Sequence, residues 1–417
     1  MTIAAFLLGG TVGSGLPIRD AFIAVFAGSL VLTFVAVLSG MVGARTHLST
    51  AMISRFAFGE KGSYLTALVL ALGSYGWFGV QTGLFGETAF TVFQHGGFEP
   101  PVLLLVFVGG LLMTSTAIFG YRAIEKLSLI AVPALVILMF ASLVMVLRDN
   151  PWGELVAAPV PGDPMPMGVA ISIVAGSFMV GAVVAPDITR YARNSTHAVL
   201  AAVLGFQVGN VIIVFVGAIL AHATGESEIV QIMLTLGWGV VAFLVLILSQ
   251  WTTNDNNLYS AALAFSLVFR RWPKWKLTAV AGVLGTLLAM VGILQQLEPF
   301  LLALSALVPP IGGVFAADYF VVNRRVYRFE NLSRVPAIRH VSWTAWVCGS
   351  LVAFMTTPEF PGLGLFQLTT VSAIDSFLVA FVLQLVLAKA FQRGEWGSLT
   401  SPAPLEDQAG PTSNPIT

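Results

Sequence analysis

Ser249, Thr252 and Thr253 stand at i, i+3 and i+4 in a long apolar segment, so a helix gathers their oxygens on one face. Small neutral oxygens so arranged suit a weakly held, partly dehydrated cation. They belong to a wider interruption, Trp251-Thr252-Thr253-Asn254-Asp255-Asn256, inside the apolar stretch 232–269. An unpaired polar group in hydrocarbon costs several kcal/mol, so this run must face protein, water, an ion or a solute. One hydroxyl there would usually be hydrogen-bond glue between helices; six polar or aromatic positions in succession favour a site.

A second group lies in Gly76-Trp77-Phe78-Gly79-Val80-Gln81. Trp77 falls roughly 20 Å along its helix from the basic loop that precedes it, too deep for an interfacial belt. Gln81 follows at i+4 and shares its face. A flat aromatic surface beside an amide that both donates and accepts is a platform for a planar heterocycle. Phe178, with Ser177 beside it, would cover the other face of such a ring. The competing readings are core packing for Phe178 and an interhelical amide bond for Gln81.

The elements that must position these groups are membrane helices. Of 417 residues, 57% are hydrophobic and only 10% charged, with mean hydropathy +0.89, far outside the range of soluble domains. About twelve segments satisfy the spanning requirement: 2–17, 21–44, 64–93, 102–121, 127–147, 168–187, 199–222, 231–269, 277–294, 299–321, 341–357 and 374–391. With this topology 18 of the 20 Lys and Arg residues fall on one side, and only Arg19 and Arg148 on the other. That side, with the C-terminus, is cytoplasmic by the positive-inside rule. Asp20, Glu99, Asp149, Glu154 and Asp163 collect opposite. The zero net charge therefore conceals a polarised molecule, and nothing suggests a nucleic-acid partner. The plasma membrane of a prokaryote, with lipid as the surrounding partner, is the expected location.

Other classes fit poorly. The five histidines lie in loops or at span ends without metal-ligand spacing. No span pairs a serine or Cys348 with a base, so the chain is not read as an enzyme. A passive channel would show rings of like residues rather than one asymmetric aromatic pocket. Glu87 is a candidate proton carrier or a vestibule residue; Asp255 either neutralises the cation or bonds neighbouring helices. Asp187 and Asp318 are expected to pair with Arg190 and Arg324 at the inner gate.

Gly9, Gly10, Gly13 and Gly15 weaken the first span; Gly176, Gly181 and Pro186 the sixth; Pro309, Pro310, Gly312 and Gly313 the tenth. A single glycine in a membrane helix usually serves close helix packing instead. Breaks five helices apart are the spacing of inverted repeats whose discontinuous helices meet at the midplane. The first span, opening at Met1, is short of a bilayer's thickness and reads as truncated.

The ordered motifs Gly9–Gly15, Gly76–Gly79, Gly176-Ser177-Phe178, Pro186-Asp187, Trp251 through Asn256 with Leu258-Tyr259, and Pro309–Val314 with Ala317-Asp318-Tyr319 resemble the purine–cytosine permease family of nucleobase:cation symporters. The resemblance is greatest to its bacterial cytosine-transporting members. It implies an all-α, LeuT-type fold: a five-plus-five inverted-repeat core over 1–325 (repeats 1–147 and 168–325), two peripheral helices in 326–391, and a disordered tail 392–417. It also implies import of a nucleobase or related heterocycle, driven by Na⁺ or H⁺, with no cofactor. Cytosine, another pyrimidine, a purine, a hydroxymethylpyrimidine and a hydantoin or allantoin all remain open. Carried over by position, Trp77 and Phe178 sandwich the ring, Ser177 and Asn254 lie in the matching polar segments, and Ser249, Thr252 and Thr253 contribute to the sodium site. Gln81 matches a substrate glutamine of hydantoin permeases. Ser74 and Val180 replace a glutamine and a serine of cytosine permeases, and Ser249 an asparagine. The remaining sodium ligands of the family lie in the first half of the first span, largely upstream of Met1. Pro309, Pro310, Gly312 and Gly313 are the expected gating hinge, folding the outer half of the tenth span over the ring.

Overall fold

The computed structural model describes residues 3–119, 121–226, 229–269, 271–323 and 327–391. Arg270, Arg324, Arg325 and the tail expected to be disordered lie outside them. Among the described residues the chain is helical, without strands. In order the helices are α1 (Ile3–Gly15), α2 (Ile18–Thr46), α3 (Thr50–Phe58), α4 (Ser63–His95), α5 (Val102–Phe119), α6 (Tyr121–Asp149), α7 (Trp152–Ala157), α8 (Met167–Ser177), α9 (Met179–Val183) and α10 (Pro186–Thr189). They continue as α11 (Ser195–Ala202), which runs through a π-helical turn into α12 (Asn210–Thr224), then α13 (Ile229–Thr235), α14 (Val240–Val268), α15 (Lys274–Met290), α16 (Leu297–Leu307), α17 (Pro309–Ala317), α18 (His340–Thr356) and α19 (Ser372–Phe391).

Helices occupy every stretch expected to span. Among the described residues α2, α4, α11–α12, α16–α17 and α19 are each long and apolar enough to cross a bilayer, and α8–α10 joins them as a bent pair. The expected eighth span divides, because Gly237 takes φ +73 and turns the chain between α13 and α14.

Glycine does different work in the three punctuated spans. In α1 the helix is continuous, contrary to the expected weakening. A Cβ on Gly9 would overlap Val214 O, one on Gly13 would overlap Ala218 O, and Phe6 O lies against Gly217. These glycines let the α1 and α12 backbones touch, the small-residue packing of membrane helices. The sixth span does break: α8 and α9 meet at 56°, with Phe178 at φ −117, ψ 17 as the joint. Gly176 just before it admits Leu301 O where a side chain would stand.

The tenth span breaks at Val308, between α16 and α17 and directly before the proline pair, as its sequence suggests, but the break is shallow. Val308 keeps helical torsions (φ −90, ψ −44), and residues 297–322 form one apolar span. Two prolines in succession remove two N–H donors and orphan the carbonyls one turn earlier. Ser376 Oγ of α19 donates at 3.1 Å to Ser305 O, which Pro309 leaves without a donor. Ile311 N–H turns to Val308 O, and Trp346 Nε1 of α18 donates to the Leu307 O thus freed, at 3.0 Å. Gly313 and Gly349 bring α17 and α18 against α19, meeting Phe377 O and Ser376 O. Trp346→Phe should therefore lower stability by about 1–3 kcal/mol, by leaving a buried carbonyl unpaired. Thermal unfolding in detergent would test this, and an unmoved midpoint would show that the carbonyl finds another donor.

The two aspartates expected at the inner gate each have further partners. Asp318 pairs with Arg339, Oδ1 to Nη2 at 2.8 Å, both side chains wholly buried. Asp318 also accepts from Asn323 Nδ2 (2.9 Å), Gln384 Nε2 (3.1 Å) and Tyr327 OH (2.7 Å). Burial, reinforced by the neighbouring Asp318 charge, pushes the Tyr327 phenol well above its usual range, so it stays protonated and donates. Arg324, the partner expected from proximity in sequence, lies outside the described residues. Asp187 accepts from the Thr50 backbone N–H at 2.8 Å, at the start of α3, while Arg190 donates to Tyr191 OH.

Candidate functional site

α4 runs through the middle of the bundle against α14, α15 and α5. Spacing by four puts Gly73, Trp77 and Gln81 on one stripe of it. The break after Ser177 swings Phe178 toward that stripe. The Trp77 and Phe178 rings lie near-parallel, 22° apart, with centroids 6.5 Å apart. Trp77 is 9% exposed and Gln81 1%. The Gln81 Oε1 is buried without a hydrogen-bond partner, which is costly in an apolar interior unless a ligand supplies the donor.

Sequence reasoning missed Phe300. It sits on α16 with its edge to Trp77, centroids 5.7 Å apart at 76°, in the space a Cβ on Gly76 would fill. Gly76 is thus small because a phenyl ring lies on it. The available signal was register: α16 runs antiparallel to α4, which sets Phe300 level with Trp77 and Leu304 level with Gly73.

The hydroxyls beside the pair are committed locally. Ser74 Oγ donates to Leu70 O at 3.1 Å, and Ser177 Oγ to Val174 O at 2.7 Å. Asn254 is held by α4 and by its own helix. Its Nδ2 donates to Phe78 O (3.1 Å) and Thr82 Oγ1 (3.0 Å), and its Oδ1 accepts from Asn257 (3.2 Å). It therefore clamps α14 to α4.

At 100° per residue the polar run of α14 winds onto three faces. Gln250, donating to Thr88 Oγ1 at 3.2 Å, shares the α4 face with Asn254. Trp251 and Asp255 share another, joined through Thr116 of α5: Trp251 Nε1 donates to its Oγ1 at 2.9 Å, which donates to Asp255 Oδ1 at 3.2 Å. Much of the run is thus helix glue, including Asp255. The third face carries Ser249, Thr252 and Thr253. Both threonine hydroxyls donate to Ser249 O, at 3.1 and 2.8 Å. Ser249 Oγ is buried and unpartnered. A cation there would meet oxygens already gathered, the hydroxyl protons rotating away. Glu87 lies elsewhere, accepting from Gln295 at 2.9 Å in an exposed bond.

Residues 1–383 match the sequence profile of a family described as "Permease for cytosine/purines, uracil, thiamine, allantoin". The chain belongs to this family of permeases. It is 38% identical to the cytosine permease of Escherichia coli O157:H7 over 346 residues, covering 83% of this chain and 81% of that one. The hydantoin permease of Microbacterium maritypicum is 25% identical, over 85% of this chain and 78% of that one. Among solved structures, a nucleobase-cation-symport-1 transporter closed around bromovinylhydantoin superposes with TM-score 0.77 at 22% identity, covering 97% of this chain and 92% of that one. A sodium-coupled sialic acid symporter gives 0.57 at 13% identity, over 93% of this chain and 96% of that one; these likenesses show a shared helical fold. The permease is a multi-pass membrane protein, and its relatives are transporters rather than enzymes.

Proposed function

We propose that this permease imports a nucleobase together with a cation, by alternating access, across the plasma membrane of a prokaryote with its C-terminus cytoplasmic. The near-parallel Trp77–Phe178 pair, with an unsatisfied Gln81 oxygen beside it, carries the proposal. Carbon atoms in contact sit about 3.5–4 Å apart, so a planar ring between two others needs roughly 7–8 Å. The pair at 6.5 Å needs to part by only about 1 Å to admit one. Gln81 Oε1 would accept a ring N–H. Phe300 would close the edge, moving with α16 about Val308, with Pro309, Pro310, Gly312 and Gly313 as the hinge. The prolines make this the weakest hydrogen-bonded point of the span. Inverted-repeat halves would rock around the fixed site.

Sodium is the coupling ion that the oxygens of Ser249, Thr252 and Thr253 suit, since they offer neutral donors without a proton acceptor. It would hold α14 against its neighbour in the outward-open state. Counterflow in sealed proteoliposomes tests the class: a carrier exchanges labelled for unlabelled cytosine and a pore does not. In the same vesicles Thr253→Ala should weaken the sodium stimulation of uptake by about tenfold in sodium affinity, the worth of one lost polar contact. An unaltered sodium response would remove the cation from this face.

A further inference from the structure

The two ends of the aromatic pair differ chemically. One turn beyond Trp77 on α4, about 6 Å, stands Gln81 with its unpartnered oxygen. One turn before Trp77 stands Gly73, whose missing side chain leaves the backbone open to two aliphatic groups. A Cβ there would lie 2.7 Å from Val180 Cγ2 and 3.2 Å from Leu304 Cδ2. Phe300 lies one turn along α16 from Leu304 and sets its edge against Trp77. The side chains of Val180, Leu304 and Phe300 offer only carbon. The hydroxyls of Ser74 and Ser177, next in sequence to Gly73 and Phe178, spend their protons on their own helices.

We infer that the permease reads its ring asymmetrically, with a hydrogen-bonding edge toward Gln81 and a carbon edge toward Val180, Leu304 and Phe300. The inference rests on the ring lying between Trp77 and Phe178. It selects pyrimidines, which have a C5–C6 edge bearing only carbon and hydrogen. It disfavours purine diones, whose second ring carries N–H and N on the side where a pyrimidine has C–H. A ring nitrogen against Val180 loses its water and gains no partner, and an apolar wall rejects such an added polar group by up to roughly 10²-fold.

Inhibition of labelled cytosine uptake in proteoliposomes tests this, with unlabelled cytosine, uracil, thymine and xanthine as competitors. For the wild type, the pyrimidines should inhibit at concentrations at least about tenfold below xanthine. Val180→Thr keeps the shape of the wall and adds a hydroxyl whose lone pairs can meet a ring N–H. It should narrow the xanthine-to-cytosine ratio by about tenfold. Wild-type inhibition by xanthine equal to that by cytosine would overturn the inference, as would a ratio that Val180→Thr leaves unmoved. The wild-type panel needs no variant to fold. Trp77→Ala, read by direct binding of labelled cytosine to purified protein with the same competitors, separates the two failures. If it abolishes binding of every competitor, the aromatic site stands whatever the ratio. If it leaves binding intact, the site itself is elsewhere.

Discussion

Replacing Arg339 by alanine should destabilise the permease by about 3–5 kcal/mol, the usual effect of removing one partner from a buried ion pair. Arg339 is 1% exposed. Its guanidinium holds Asp318 at 2.8 Å and donates to the carbonyls of Phe56 (2.8 Å) and Ala57 (3.1 Å) at the end of α3. Its own backbone N–H reaches Phe58 O at 2.9 Å. Asp318 in turn is tied to Gln384 of α19. One arginine therefore joins the end of the tenth span to α3 and to both C-terminal helices. Truncation would leave a carboxylate and two carbonyls buried together without their cation. Asp318→Asn with Arg339→Met should recover much of the loss, because neither charge is then desolvated. Thermal unfolding of the purified variants reads both effects. A single Arg339→Ala variant with the wild-type midpoint would mean that water reaches this cluster.

Trp77→Ala should abolish saturable uptake at micromolar substrate while the protein still reaches the membrane. Stacking contributes about 1–3 kcal/mol per base face, so losing one face weakens binding by roughly 5- to 140-fold. The loss extends further, because Trp77 is also the surface on which the Phe300 edge rests. Trp77→Phe should retain part of the affinity, since a smaller ring still stacks. Membrane abundance of each variant, measured beside uptake and binding, separates lost affinity from lost protein. Unchanged affinity in Trp77→Ala would place the substrate elsewhere.

How far the site was legible depends on which kind of contact each residue makes. Trp77 and Gln81 were readable because both lie on one helix, where spacing fixes the shared face. A break in the sixth span was readable from Gly176, Gly181 and Pro186, though not its place at Phe178. Asn254 and Asp255 were harder. Their polar character announced that they face something, but only the packing of α14 on α4 and α5 shows that Phe78, Thr82 and Thr116 meet them. The same residue types would serve an ion, a substrate or a neighbouring helix. Prolines marked the break in the tenth span, but not that Ser376 and Trp346, donors from distant parts of the chain, would hold carbonyls beside it. Glycines misled in the first, where the absence of a side chain served α12 rather than a bend.

The amino-acid sequence by itself determined the solvent, the helical stretches and the faces of single helices, because hydrocarbon demands long apolar runs and the helix repeat is local geometry. It also carried ordered motifs specific enough to point to a family. Tertiary structure alone decided which faces meet: Phe300 on Trp77, Val180 and Leu304 around Gly73, Arg339 on Asp318. These are contacts between groups far apart in the chain. Their energy depends on distance and burial, which residue order does not encode locally.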